Sequence, residues 1–208
     1  MKVMYIDTSS SFLFFGIADN DKLLVEIKNR YDQDLSKMAM VDIEKAFNKA
    51  KLSPKDIDKI IVVDGPGSFT GIRIGITIAK TFAYSLNKEI TTISSLEAMA
   101  LSCDNGDYLA PMIDARRGYV YGAIYDKNLK ELYKPVHVKL DVLLEEIKKY
   151  DDILVITNDD IKTDYKNLSY EPDILKIITK FKDKKRVNPH SVNPNYLKLT
   201  EAEENLKW

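Results

Sequence analysis

A run of three strands, a helix and a further strand occurs twice in this chain of 208 residues, and this repetition limits the possible folds most strongly. In each half, short apolar runs divided by turns predict strands, and apolar residues at three- and four-residue spacing predict a helix. The separation of Asp7 and Asp19 recurs between Asp114 and Asp126. The predicted elements are Val3–Asp7, Phe12–Ala18, Leu23–Ile27, Ala39–Ala50 and Ile60–Val63, then Tyr108–Asp114, Tyr119–Asp126, Leu132–Val138, Leu140–Tyr150 and Ile153–Ile156.

The order of these elements is typical of the actin, Hsp70 and sugar-kinase superfamily, whose folds are RNase H-like. It predicts an α/β protein with a duplicated fold, in which two subdomains each contain a mixed sheet flanked by helices. The boundary is expected near Ser102–Gly106, which gives an N-terminal subdomain of residues 1–103 and a C-terminal subdomain of residues 104–208. Chance similarity between two ordinary α/β segments remains an alternative.

Charge and cysteine content limit the function classes. The 31 basic and 32 acidic residues nearly cancel, so any nucleic-acid contact has to be local or made by a partner. The single cysteine, Cys103, cannot form an internal disulfide, and the first residues contain no signal-peptide apolar run. No apolar run approaches the roughly 20 residues that a membrane span needs. We therefore expect a cytoplasmic protein without a membrane association.

A glycine-rich loop at Gly65–Gly71 precedes a predicted helix from about Gly71 to Leu86. Free N–H groups at a helix N-terminus bind anions, so a phosphate or nucleotide contact is one interpretation. The loop lacks the lysine of a Walker loop, and Thr70 stands where a dinucleotide fingerprint needs its last glycine. A purely structural turn is therefore equally possible. The candidate contacts for a nucleotide or anion are Asp7, Ser9, Gly65, Gly67, Ser68, Thr70 and Arg73.

The helix after this loop is apolar on nearly every side, which predicts that it is buried on every side. Small residues at four-residue spacing would let a second helix approach closely. We predict that this stripe, together with two methionines of the preceding helix, forms a subunit interface. The alternative is a fully internal helix. The residues of the predicted interface are Met38, Met40, Gly71, Gly75, Ala79 and Ala83.

The segment Gly65–Gly75, GPGSFTGIRIG, resembles the signature of the TsaB proteins, formerly called YeaZ. Four further segments agree with that family in order along the chain, so the resemblance spans its whole length. Two features depart from the family pattern: Leu35–Lys37 lacks a histidine that members often carry, and Lys198 replaces an arginine. The four agreeing segments are Ile6–Ser9, Ile93–Glu97, Asp114–Tyr121 and Pro194–Leu197.

The resemblance implies an actin-like fold and a role as a dimerization and activating subunit. The expected partners are a paralogous catalytic threonylcarbamoyltransferase, which modifies N6 of adenosine 37 in tRNAs reading codons that begin with A, and a small ATPase subunit. It further implies self-association when the chain is alone, and only indirect contact with tRNA. ATP and a metal ion are expected on the partner subunits, and no cofactor is assigned to this chain.

The chain lacks the expected catalytic groups. The catalytic relative binds a metal through two histidines four residues apart, whereas this chain has Ser94–Met99 in that region. His137 and His190 lie far apart, and no catalytic or metal-binding residue is predicted. Asp7 and Asp114 end strands where related kinases hold magnesium, but capping of the adjacent turn is the favoured interpretation. A stand-alone ATP-dependent phosphoryl or carbamoyl transferase is the main alternative, and a metalloprotease is disfavoured.

Overall fold

The computed structural model describes residues 1–198, and its first half is built on a five-stranded mixed sheet with the order β3-β2-β1-β4-β5. β1, β2 and β3 are antiparallel neighbours, while β4 and β5 run parallel to β1. Three helices belong to this half. The elements are β1 (Lys2–Asp7), β2 (Phe12–Asp19), β3 (Lys22–Arg30), α1 (Leu35–Ala50), β4 (Lys59–Gly65), α2 (Phe69–Ser85), β5 (Glu89–Ser94) and α3 (Ser95–Leu101).

The second half contains another five-stranded sheet with the order β8-β7-β6-β9-β10. Its first three strands form an antiparallel meander, and β9 and β10 run parallel to β6. The elements are β6 (Tyr108–Asp114), β7 (Tyr119–Asp126), β8 (Glu131–Lys139), α4 (Leu140–Ile147), β9 (Leu154–Ile156), β10 (Asn167–Leu168) and α5 (Ile174–Phe181).

The two sheets have the same strand order and the same strand directions, so the predicted duplicated α/β fold is confirmed. Both sheets have buried cores, because helices cover the apolar side chains of their strands. The subdomain limits, residues 1–103 and 104–208, stay a prediction, and residues 199–208 lie outside the described part of the chain.

The halves differ in two respects that the sequence pattern does not predict. The helix α2 connects β4 to β5, whereas an irregular segment connects β9 to β10. The helix α5 follows β10 and packs with Ile174, Ile177 and Phe181 against Val3 and Tyr5 of the first sheet. The second half therefore contributes to the core of the first. Within residues 1–198 no helix is both long enough and apolar enough to cross a membrane.

Parallel pairing of strands brings the loops that contain the candidate site residues close together. Because β1 and β4 are adjacent and parallel, the turn after Asp7 and the glycine loop after β4 meet at one sheet edge. In the second half the same geometry places the turn after Asp114 beside the segment after β9, where the Asp114 N–H donates to Asp159 Oδ2 at 2.7 Å. Candidate site residues from both halves thus lie at these strand ends.

Candidate functional site: the cleft between the two sheets

A cleft of about 620 Å³ lies where the strand ends of the two halves face each other. The first half contributes the turn Ser9–Ser11 and the loop Gly67–Thr70, and the second contributes the turn Asp114–Arg116. Of the sequence-predicted nucleotide contacts, the structure brings Ser9, Gly67, Ser68 and Thr70 to this cleft. Asp7, Gly65 and Arg73 are not among its lining residues.

Asp7 is buried beneath the cleft and holds the turn that follows β1. Its Oδ1 accepts a hydrogen bond from the Ser9 N–H at 2.8 Å, and the Tyr5 hydroxyl lies 3.4 Å from Oδ2. Burial raises the pKa of this carboxyl, because a charged carboxylate loses its hydration, and the Ser9 hydrogen bond opposes part of that shift. Asp7 therefore caps the turn after β1, which is the interpretation that the sequence favours.

Asp114 occupies the matching position in the second half and makes the matching bond. Its Oδ1 accepts from the Arg116 N–H at 2.9 Å, two residues along the chain, as Asp7 accepts from Ser9. Asp114 is exposed and lines the cleft, whereas Asp7 is fully covered. The duplication thus preserves a capped turn after the first strand of each sheet.

The glycines of the loop allow close packing against the turn after β1. A Cβ on Gly67 would clash with the Ser9 carbonyl oxygen, and one on Gly71 would clash with the Thr8 carbonyl oxygen. The Ser68 N–H donates to the Ser9 carbonyl at 2.7 Å, and the Thr8 hydroxyl donates to the Gly71 carbonyl at 2.7 Å. The loop therefore holds β1 and α2 in contact.

Three of the backbone N–H groups that a phosphate contact at this loop would use are already bonded. A phosphate cradle needs free backbone N–H groups, but the Ser9 N–H is bonded to Asp7, the Ser68 N–H to Ser9, and the Gly71 N–H to the Ser68 hydroxyl at 3.2 Å. The Thr8 and Ser9 backbone fills the space beside the glycines. Of the two interpretations of this loop, the geometry favours the structural turn.

The predicted interface stripe faces inward. Gly71, Gly75, Ala79 and Ala83 are all buried within the chain, and the Cβ of a residue at position 75 would meet the Thr8 hydroxyl. The prediction that these four residues present an open side to another subunit is corrected here. Small residues lie on this face because α2 crosses its own β1 and β4 closely.

The outer face of α2 carries different residues, which recur at three- and four-residue spacing and are exposed. At its start, Arg73 lies over the Phe69 ring at 3.8 Å and donates through Nε to the Tyr196 hydroxyl at 2.7 Å. On the neighbouring helix Met40 is 46% exposed and Met38 is half-buried. The exposed outer residues of α2 are Phe69, Arg73, Thr77, Thr81 and Tyr84.

Tyr170 is a site residue that the sequence analysis missed. It follows β10 in an irregular segment, held by Asn158, whose side chain bonds its N–H and its carbonyl at 2.8 and 2.7 Å. Its ring lies edge-on to Phe14, and its hydroxyl is buried beside the Tyr5 hydroxyl and the Asp7 carboxyl. Nothing in the local sequence marks it, because its place depends on the packing of the two halves.

The remaining candidate groups do not assemble. His137 lies in β8 and His190 lies beside Tyr84, while Cys103 is half-buried with its thiol 3.2 Å from the Asn105 carbonyl. The described residues contain no cluster of three histidine, cysteine, aspartate or glutamate side chains placed to hold a metal ion.

Comparison with known proteins identifies relatives across the whole chain. The family model described as TsaD, tRNA N6-adenosine threonylcarbamoyltransferase, matches residues 29–171. The tRNA threonylcarbamoyladenosine biosynthesis protein TsaB of Bacillus subtilis is 32% identical, and the match covers 100% of this chain and 98% of that protein. The TsaB protein of Buchnera aphidicola is 24% identical over 91% of this chain and 89% of its own length.

Solved structures show the same fold. YeaZ from Pseudomonas aeruginosa superimposes with a TM-score of 0.78 at 16% identity, covering 94% of this chain and 99% of that chain. A second structure, of a protein from the same organism with similarity to the peptidase YeaZ, gives a TM-score of 0.80 at 16% identity, over 95% and 99% of the two chains. At this identity the likeness concerns the fold alone.

Proposed function

The chain belongs to the TsaB (YeaZ) family of tRNA threonylcarbamoyladenosine biosynthesis proteins, and we propose that it acts there as a non-catalytic dimerization and activating subunit. Its partner in this proposal is a TsaD-like transferase that adds a threonylcarbamoyl group to N6 of adenosine 37, in tRNAs reading codons that begin with A. A small ATPase subunit completes the complex. ATP and the metal ion bind to those partners.

The closed glycine loop is the observation that carries this proposal. The turn after β1 and the glycine loop beside it hold the candidate phosphate contacts of this half, and they pack against each other. The N–H groups of Ser9, Ser68 and Gly71 are bonded inside the protein. A protein that has both sheets of the fold but a tightly packed loop at this place fits a supporting subunit better than an ATP-dependent transferase.

The outer faces of α1 and α2 fit the docking of a second subunit of the same fold. Tyr84 is 68% exposed and Phe69 is 51% exposed, and Met40 and Val41 add exposed apolar surface on α1. Exposed aromatic and methionine side chains are common at interfaces, where they bury a large area. We expect the transferase paralogue, or a second copy of this chain when it is alone, to cover these faces.

Reconstitution tests the proposal. We expect modified tRNA when this chain, the transferase and the ATPase subunit are combined with tRNA, ATP and preformed threonylcarbamoyl adenylate as the donor, and only background when this chain is omitted. The change Tyr84→Glu should weaken the heterodimer about tenfold or more, because a charge replaces an exposed aromatic at the interface. Calorimetry of the two purified subunits measures that affinity.

The matched control is Val142→Glu, on α4 of the second half, where Val142 is 46% exposed. It makes the same kind of change away from α1 and α2, so heterodimer affinity should stay within about twofold of wild type. Threonylcarbamoyl transfer by this chain alone, or full modification without it, would contradict the proposal. Equal losses from the two glutamate variants would place the interface elsewhere.

A further inference from the structure

The end of the β7–β8 hairpin carries three aromatic rings on one face. Tyr119 and Tyr121 flank Val120, whose side chain is buried on the α4 side, so the two tyrosines point to the opposite side. The His137 ring on β8 lies 4.9 Å from that of Tyr119 with planes only 10° apart, and 5.3 Å from that of Tyr121. We call these three residues the tyrosine platform.

The tyrosine platform is only partly covered by the rest of the described chain. Further along the same face of β7, Ala123 and Tyr125 are buried against α3. That helix has only seven residues and does not extend over the hairpin tip. All three platform rings are half-buried, and a Cβ on Gly118 at the tip would meet no atom within 4 Å. The platform therefore opens to solvent at the turn.

Two arginines stand at that opening. Arg116 and Arg117 have φ angles of 66° and 55°, and the turn is fixed because the Tyr119 N–H donates to the Arg116 carbonyl at 3.0 Å. Both side chains are exposed, and within residues 1–198 neither one makes an ion pair. Lys139, which pairs with Tyr119 across the strands, is also exposed and makes no ion pair in that range. The platform thus has unneutralised positive charge along its rim.

The first half contains the counterpart of this face, but there one of the two rings is buried and the cation is paired. Phe12 and Phe14 occupy the equivalent positions in β2, with ring centroids 5.1 Å apart. Arg30, across from Phe12, forms an ion pair with Asp32 at 3.0 Å, and Tyr170 covers Phe14. The fold therefore does not require a second open ring or an unpaired cation at this place. Both are specific to the second half.

We propose that the tyrosine platform, with Arg116 and Arg117, binds an unpaired base of RNA by stacking, and that the arginines contact its phosphates. Unpaired bases stack on tyrosine and histidine rings, and arginine pairs with phosphate through two parallel hydrogen bonds. The nearly neutral chain binds no RNA by bulk charge, so such a contact is local. The choice of RNA rests on the proposed function, in which a tRNA loop is the substrate of the complex.

Acidic groups restrict where the RNA backbone lies. Asp114 and Asp159 line the cleft together with Arg116 and Tyr121 of the hairpin, so a phosphate is favoured beside the arginines rather than beside the carboxylates. The proposal therefore places the RNA at the rim that the platform shares with the cleft. It predicts binding of single-stranded loops in preference to duplexes, because a paired base has no free face to stack.

The test uses the full chain and a stem-loop RNA that carries 2-aminopurine in its loop. We expect quenching of the 2-aminopurine fluorescence on binding, and weaker binding of a duplex with the sequence of the stem. The change Tyr119→Ala should lower the affinity about 5- to 140-fold, which is the range for one stacked base. The variants Arg116→Ala and Arg117→Ala should each reduce the slope of log affinity against log salt by about one.

The first half supplies matched controls. Phe12→Ala makes the change equivalent to Tyr119→Ala, and Arg30→Ala removes a cation that is already paired with Asp32; both should leave RNA affinity within about twofold of wild type. Tyr119→Phe retains the ring and should retain binding. Because Arg117 is exposed, Arg117→Glu keeps the test decisive if Tyr119→Ala fails to fold.

Several results would overturn this inference: no quenching, equal binding of the duplex, or equal losses in the two halves. An acidic peptide that binds where the stem-loop does not would assign the platform to a protein partner and would also overturn it. Activation of the transferase without stem-loop binding refutes only this inference. Stem-loop binding without activation refutes only the proposed function.

Discussion

The two halves share one strand order but differ in what connects the fourth strand to the fifth. In the first half the 17-residue helix α2 makes this connection and packs tightly on β1 and β4. In the second half β9 and β10 have three and two residues, and no helix lies between them. The same strand order therefore presents a packed helix in the first half and strand ends without such a helix in the second half.

This difference gives the two halves different surfaces, which can bind different partners at the same time. The glycines let α2 approach the turn after β1 closely, so the first half presents a firmly packed helix. The second half retains the capped turn after Asp114 and leaves the tyrosine platform open. We expect subunit docking on the first half and RNA contact on the second.

The packing of α2 is tested most strongly by Gly71→Ala. The new Cβ would clash with the Thr8 carbonyl oxygen, a backbone atom that cannot turn aside, so the free energy of unfolding should fall by about 3 kcal/mol. The better helix propensity of alanine, worth about 1 kcal/mol, offsets only part of the strain. Urea unfolding followed by circular dichroism measures the change.

The comparison variant in the second half is Gly122→Ala. Its Cβ would meet the end of the Leu143 side chain, which is flexible and can move, so the loss should be about 1 kcal/mol or less. Equal losses at positions 71 and 122 would show that the first half is not packed more rigidly than the second.

Asp64, at the end of β4, should make the free energy of unfolding depend on pH, and the second half has no equivalent group at the corresponding position. Burial raises its pKa from 3.8 to about 6, because the charged form loses hydration. The folded state then holds the proton more tightly than the unfolded state, so stability is lost as pH rises from about 4 through 6. Asp64→Asn should match wild type at pH 4 and be more stable at pH 8, by at most about 3 kcal/mol.

The second half provides the control, because Thr157 stands at the corresponding place after β9 and does not ionise in this range. An exposed carboxylate such as Asp160 should behave differently from Asp64, and Asp160→Asn should change the unfolding free energy by less than about 0.5 kcal/mol at either pH. A stability difference between Asp64→Asn and wild type that does not vary with pH would refute the burial of a neutral carboxyl at position 64.

The sequence predicts the fold better than it predicts the site, for physical reasons. Strand and helix periodicity is local, so the elements of both meanders are found from the chain alone. The apolar residues of α2 lie on nearly every side, so the sequence predicts full burial, although Arg73, Thr77 and Thr81 at four-residue spacing mark the side that stays exposed. Small residues suit a contact with the helix's own sheet as well as one with another subunit. The helix α5 and Tyr170 depend on contacts between the halves, which no local pattern records.

The helices α3 and α5, which follow the last strand of each sheet, allow the finest comparison. The Ser94 hydroxyl accepts from the Leu96 N–H at 3.2 Å, and Asp173 Oδ1 accepts from the Lys176 N–H at 2.9 Å. Replacing either cap by alanine should cost about 1 kcal/mol in urea unfolding. Asp173→Ala should cost slightly more, because a carboxylate also interacts with the positive end of the helix dipole.

That excess should shrink at high salt, whereas the loss from Ser94→Ala should not change. An excess that persists at high salt would mean that α5 depends on Asp173 for packing against the first sheet, and the two helices would then not be equivalent copies.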